Sequence, residues 1–104
     1  MRGMAADLMK VNAAKVLRGN VVEILYRYYG TDITLSVLRQ SLRAKGFTAD
    51  EDLVKAFYYL TGDGKRYIHV DLKEQYWDSV IWLTPAGVNL AEGDIQDVGV
   101  ILDE

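Results

Sequence analysis

Residues 34–61 read TLSVLRQSLRAKGFTADEDLVKAFYYLT and predict two helices joined by a tight turn. Thr34 can cap the first helix, and Gly46 can close it in a left-handed conformation. Thr48 and Glu51 have the spacing of a capping box at the start of the second helix. The apolar stripes are Leu35, Leu38 and Leu42 in the first helix and Leu53, Phe57 and Leu60 in the second. A connection this short is typical of a helix-turn-helix.

A further helix precedes this unit, and the residues leave its start open. Asn20 and Glu23 have capping-box spacing, which would place the start at residue 20. The alternative is a helix that continues through Gly19 from an Ala-rich lead-in. The lead-in stripe is Met4, Leu8 and Val11, and the apolar face after residue 20 is Val21, Ile24, Leu25 and Tyr28. In both cases Gly30 ends the helix.

The chain after residue 61 predicts a β-hairpin followed by a short helix. Residues 67–72 alternate apolar and polar positions, and residues 79–83 are rich in β-branched and aromatic side chains. Thr84 directly before Pro85 is a capping residue followed by a proline at the first helical position. The helix that starts there is predicted to end near Gly93.

This order of elements indicates an α+β fold, a winged helix-turn-helix. Three helices form the predicted core, the β-hairpin is the wing, and a short C-terminal helix follows. The predicted organisation is an N-terminal lead-in over residues 1–19, a winged-helix domain over 20–93 and an acidic tail over 94–104. A chain of 104 residues has the size of one domain.

One motif and a set of single positions carry a family resemblance. The segment Leu83-Thr84-Pro85-Ala86-Gly87 looks like the L-T-x-x-G that closes the wing in many winged-helix regulators. More narrowly, residues 20–101 resemble the small winged-helix proteins found in gene clusters of Mu-like phages and prophages. The matching positions are Ile24-Leu25, Val37-Leu38, Leu42, Gly46, Thr48, Tyr59-Leu60, Leu83-Thr84, Gly87 and Gly93 to Val100. The resemblance implies the fold first, and transcription regulation by analogy of scaffold.

Composition excludes several classes of protein. The chain has no cysteine, so disulfides, thiolate zinc sites and thiol nucleophiles are excluded. Its apolar runs are far shorter than the roughly 20 residues of a membrane span, and its start has no signal-peptide pattern. We therefore expect a cytoplasmic protein without membrane contact. Residues 92–104 hold five acids and no base, whereas residues 1–91 hold 12 basic and 10 acidic side chains. The net charge of −3 therefore comes from an acidic tail on a body that is about neutral.

Basic side chains support a DNA-binding hypothesis, with double-stranded DNA as the partner. The predicted phosphate contacts are Arg39, Arg43, Lys45, Lys65, Arg66 and Lys73. The first three occupy one helix with no acid between residues 34 and 47, so that helix can lie on a phosphate backbone. On the helix that is predicted to start near Thr48, Lys55 and Tyr59 are expected to lie nearest to the bases, although Glu51 and Asp52 share that outward face. The alternative is that the six cations are ordinary solvated charges.

Aromatic side chains support a second hypothesis, a protein-interaction module on the same scaffold. Tyr76, Trp77 and Trp82 form the predicted partner interface, because Trp82 alternates out of phase with Ile81 and Leu83. The alternative is that the terminal helices cover these rings within one subunit. The same helices predict a homodimer, since the lead-in stripe lies outside the three-helix unit, whereas a frayed or folded-back lead-in leaves a monomer.

No enzymatic role is predicted. His69 is the only histidine, and no serine, lysine or second carboxylate is obviously assembled around it and Asp71. The glycine-rich segment 62–65 lacks the spacing of a P-loop. We therefore expect no catalytic residue, no metal and no cofactor.

Overall fold

The computed structural model describes residues 4–102, and the side chains of residues 8–102. Its elements are α1 (Met4–Arg27), β1 (Ile33–Thr34), α2 (Leu35–Ala44), α3 (Asp50–Thr61), β2 (Ile68–Asp71), a 3-10 turn (Tyr76–Asp78), β3 (Val80–Leu83) and α4 (Pro85–Ala91). The described chain is thus an α+β protein with four α-helices and a three-stranded antiparallel sheet, which confirms the predicted class. The side chain of Met4 and residues 1–3 and 103–104 of the predicted lead-in and tail lie outside the described residues. No helix of the described part has the length and hydropathy to cross a membrane.

Helix α1 continues through Gly19 and Asn20, so the second of the two sequence alternatives is correct. The Asn20 side chain caps nothing and instead donates a hydrogen bond to the Val16 carbonyl, 2.9 Å away. Gly19 is required at its position because a Cβ there would overlap the carbonyl oxygen of Ile101. The C-terminal half of α1 packs on α2, α3 and α4, while Leu8 in its N-terminal half is exposed.

The two helices predicted over residues 34–61 form as α2 and α3 with a short connection between them, and one of their predicted caps is absent. The hydroxyl of Thr34 accepts a hydrogen bond from the Val37 N–H at 3.2 Å, which confirms the first cap. Gly46 has a φ of +100°, the left-handed conformation expected of it. The capping box at Thr48 is wrong: α3 begins after Ala49 and has no side-chain cap. Three acids in the first turn of α3 complement the helix dipole instead.

The sheet has the strand order β1-β3-β2, with β3 in the centre. Strand β1, which the sequence analysis did not predict, pairs Ile33 with Ile81, and on the other side of β3 Val70 pairs with Ile81. The buried side chains of the sheet and of α1–α4 form one core. Its fully buried members include Leu25, Leu35, Leu38, Leu42, Leu53, Leu60, Ile81, Leu83 and Leu90. The apolar stripes predicted for α2 and α3 are therefore confirmed.

The C-terminal part of the chain returns to the body of the protein. The Thr84 hydroxyl accepts a hydrogen bond from the Gly87 N–H at 3.1 Å, so the predicted cap of α4 is confirmed. Beyond α4, Val100 is buried and the Ile101 N–H donates to the Lys15 carbonyl at 3.1 Å. Residues 97–102, placed by the sequence analysis in an acidic tail, thus pack against α1.

Candidate interaction surface

The predicted phosphate-binding cations of α2 contact α3 within the same chain. Arg39 and Arg43 both approach the Asp50 carboxylate, with nitrogen–oxygen distances of 3.1 and 3.0 Å. The Arg39 guanidinium also lies over the Trp77 ring, 4.1 Å from its centroid. Asp50 lies beyond the turn, outside the segment 34–47 that holds no acid, so the sequence did not reveal it as a partner of these cations. Of the three cations, Lys45 at the end of α2 has no carboxylate within 4 Å among the side chains of residues 8–102.

The cations of the hairpin region also lie beside acids. The pairs are Lys65–Asp97 at 2.8 Å, Arg66–Asp63 at 3.5 Å and Lys73–Asp71 at 3.1 Å. Exposed pairs such as Arg66–Asp63 contribute little to stability, yet each acid lowers the local positive potential. Acids therefore interrupt the predicted positive surface at five of its six cations.

The two predicted base contacts on α3 do not share a surface. Lys55 is exposed and lies 3.6 Å from Glu51, one turn earlier. Tyr59 is half-buried against the C-terminal segment, with the Arg18 guanidinium 3.8 Å from its ring centroid. The prediction that Tyr59 faces solvent beside Lys55 is wrong, because residues 97–102 cover that side of α3.

Asp97 is the centre of the largest polar cluster in the described chain, and the sequence analysis missed it. Its carboxylate is 5% exposed and accepts bonds from Lys65 Nζ at 2.8 Å, the Tyr67 hydroxyl at 2.7 Å and the Gly99 N–H at 2.7 Å. Tyr59 adds a longer contact of 3.4 Å. No local pattern could have revealed this cluster, because its donors lie 30 or more residues away in the sequence, apart from Gly99.

Ionisation follows from this geometry. Burial of the Asp97 carboxyl by itself raises its pKa, but the bonds from Lys65, Tyr67 and Gly99 outweigh burial and lower the pKa from 3.8 to about 2. The bond to Asp97 raises the pKa of Lys65 to about 12. Burial, with the bond to Asp97, raises the pKa of Tyr67 to about 12. Near neutral pH the cluster is therefore a carboxylate–ammonium pair with a neutral phenol, which ties the C-terminal segment to α3 and β2.

A groove between α3 and β2 forms a concave surface on the described part of the chain. Its volume is about 600 Å³, and most of its lining is apolar. The walls are Val54, Phe57, Tyr58 and Thr61 of α3, Ile68, His69 and Val70 of β2, and Arg66, Leu72, Tyr76 and Thr84 around them. Tyr58 is 81% exposed and Leu72 67% exposed. The sequence indicates this groove only through Val54 and Tyr58, which lie on α3 outside the stripe that the helix buries.

The three aromatic residues predicted to form one interface are divided between different environments. Trp77 is half-buried and packs edge-on against Phe57 and Tyr76, at 6.4 and 5.1 Å between ring centroids. Trp82 stacks on its cross-strand neighbour His69, 4.5 Å away. The single aromatic cluster predicted from the sequence is therefore wrong, because the 3-10 turn carries Tyr76 and Trp77 towards α2 and α3. Of the three rings, Tyr76 lines the groove.

Two further findings bear on the site. Among the described side chains, those of residues 8–102, no group of three or more His, Cys, Asp and Glu is placed to hold a metal ion. Comparison of the chain with protein-family models, curated proteins and solved structures finds no match. The residues themselves therefore carry the functional argument.

Proposed function

We propose that this chain is a winged-helix module that binds a protein partner through the face formed by α3 and β2. The element order α1-β1-α2-α3-β2-β3-α4 and the strand order β1-β3-β2 support the winged-helix assignment, with the segment between β2 and β3 as the wing. A place beside the small winged-helix proteins of Mu-like phages and prophages is part of this proposal. The proposal also includes a role in binding rather than catalysis, since the one histidine, His69, stacks on Trp82.

The exposed apolar side chains of the groove are the observation that carries the proposal. A helix that reads DNA presents polar and basic side chains to the major groove. Here the outward face of α3 presents Val54 and Tyr58, and its cation Lys55 is paired with Glu51. Exposed apolar and tyrosine side chains around a concave surface are typical of protein interfaces.

Photo-crosslinking in the native host tests this proposal. A benzoylphenylalanine at position 58 is expected to yield a small number of discrete protein adducts. The same group at position 29 is the matched control, because Tyr29 is an exposed tyrosine that lies outside the groove. Adducts that are absent at position 58, or equal at both positions, would count against the protein-binding face.

DNA binding is the second candidate, and the exposure of the α2 pairs supports it. Arg43 and Asp50 are both close to half exposed, and exposed ion pairs contribute only about 0–1 kcal/mol, so phosphate can replace the carboxylate at little cost. Arg43 and Lys45 together would then position α2 on the phosphate backbone of DNA. Anisotropy with mixed genomic duplexes over a range of salt concentrations tests this. The double variant R43A/K45A should flatten the salt slope by about 2. No binding at low salt would eliminate this candidate.

A further inference from the structure

The open edge of β2 identifies how a partner can occupy the groove. Resting on the proposed function, we propose that the partner is an extended peptide segment that pairs with β2 as a fourth strand. In the order β1-β3-β2, strand β2 lies at the edge of the sheet, and the groove runs between this edge and α3. Strand addition uses the backbone groups of an edge strand for affinity and the neighbouring pockets for specificity.

The hydrogen-bond register shows which backbone groups are available. The Thr84 N–H donates to the Tyr67 carbonyl at 3.0 Å, so the Tyr67 carbonyl points towards β3. Backbone groups alternate in direction along an antiparallel strand, so those of His69 also face β3, opposite Trp82. The N–H and C=O groups of Ile68 and Val70 then point away from the sheet. In the part of the chain that the structure describes, these N–H groups donate no backbone hydrogen bond and these carbonyl groups accept none.

Edge strands in natural proteins are commonly protected by lysine, proline or a bulge. Strand β2 has the sequence Ile68-His69-Val70-Asp71, with neither lysine nor proline. Its one acid, Asp71, lies at the far end of the strand, next to Lys73. Strand β2 therefore lacks these protections, and Ile68, 3% exposed, and the half-buried Val70 both line the groove.

The side chains around the edge define the chemistry of the peptide. Strand residues on one face recur at about 7 Å, so the length of β2 admits about two side chains into the groove. Val54, Tyr58 and Leu72 make these pockets apolar. Arg66 lies just before β2, and its exposed ion pair with Asp63 is weak enough to exchange. The expected segment has apolar side chains at alternate positions and a carboxylate at the end that reaches Arg66, away from Asp71.

Selection of displayed random peptides of about 12 residues, long enough for one strand, tests the proposal on the full-length protein. Enriched peptides should show apolar side chains at alternate positions with an acid at one end. Each bound peptide should slow amide hydrogen exchange at Ile68 and Val70 about tenfold or more, and leave His69 unchanged because its N–H is already bonded within the sheet. N-methylation of the peptide amides that face β2 should weaken binding about tenfold, whereas methylation of the intervening amides should not.

Variants separate strand addition from other ways of binding. Tyr58→Asp and Leu72→Glu change exposed side chains and should abolish peptide binding, while Tyr29→Asp should not. Peptides that depend on Tyr58 but leave the exchange of Ile68 and Val70 unchanged would overturn strand addition and leave the proposed face intact. Failure to enrich any peptide, or enrichment that is indifferent to both groove variants, would also overturn strand addition. The crosslinking experiment decides the proposed function independently.

Discussion

Replacement of Asp97 by asparagine is expected to destabilise the protein by about 2 kcal/mol near neutral pH. The pKa of Asp97 falls from the ordinary value of 3.8, taken for the unfolded chain, to about 2 in the folded cluster. One pKa unit corresponds to about 1.36 kcal/mol of stability. Asparagine keeps the size of the side chain but removes the charge that Lys65 and Tyr67 bind. The Lys65 ammonium, on a side chain that is 34% exposed, is then left beside a neutral amide.

The pH dependence distinguishes this effect from a loss of packing. The pKa is lower in the folded state, so the stabilisation is complete above about pH 5 and is lost as the pH falls through 3.8 towards 2. Urea unfolding of wild type and Asp97→Asn should therefore differ in midpoint by about 1 to 2 M at pH 7, and the difference should shrink progressively below pH 4.

Asp94→Asn is the matched control, because Asp94 lies in the same segment, is exposed and has no ion pair within 4 Å among residues 4–102. Its midpoint should equal that of wild type at every pH. Equal midpoints for Asp97→Asn and Asp94→Asn, or a difference that persists unchanged at pH 2, would refute the role assigned to the Asp97 carboxylate.

Three other changes follow from the fold. Thr84→Ala should cost about 1 kcal/mol through loss of the α4 cap, whereas Thr48→Ala should leave the urea midpoint unchanged because no cap forms there; equal effects would contradict the assignment. In a helix with free space at this position, Gly19→Ala would stabilise the protein by about 1 kcal/mol, but here the new methyl group would meet Ile101, so we expect a lower thermal midpoint. A higher thermal midpoint would contradict the docking of the C-terminal segment on α1. Deletion of residues 1–13 should leave the core folded, and it should convert a dimer to a monomer in sedimentation if the N-terminal half of α1 forms the proposed dimer interface. A full-length chain that sediments as a monomer at high micromolar concentration would end the dimer hypothesis.

The sequence by itself determined the elements and the faces that they bury. The stripe Leu35, Leu38 and Leu42 recurs at the helical period, and Thr34 and Thr84 cap helices that begin at the next residue. These features are local, because a cap or an amphipathic face involves residues within a few positions of one another. The class of fold and most element boundaries were therefore predictable. The short strand β1 was not, since a two-residue strand exists only through its pairing with β3.

Tertiary structure alone decided what the charges and exposed rings do. The sequence predicted Arg39 and Arg43 as phosphate contacts, but the fold places Asp50 beside both of them. It also predicted an exposed Tyr59, but the C-terminal segment covers this ring. Asp97 was one acid among five near the C-terminus, and folding placed Lys65 and Tyr67 around it. The physical reason is that electrostatic pairing and burial depend on distance in space rather than on sequence separation, so their partners become known only when the elements are packed together.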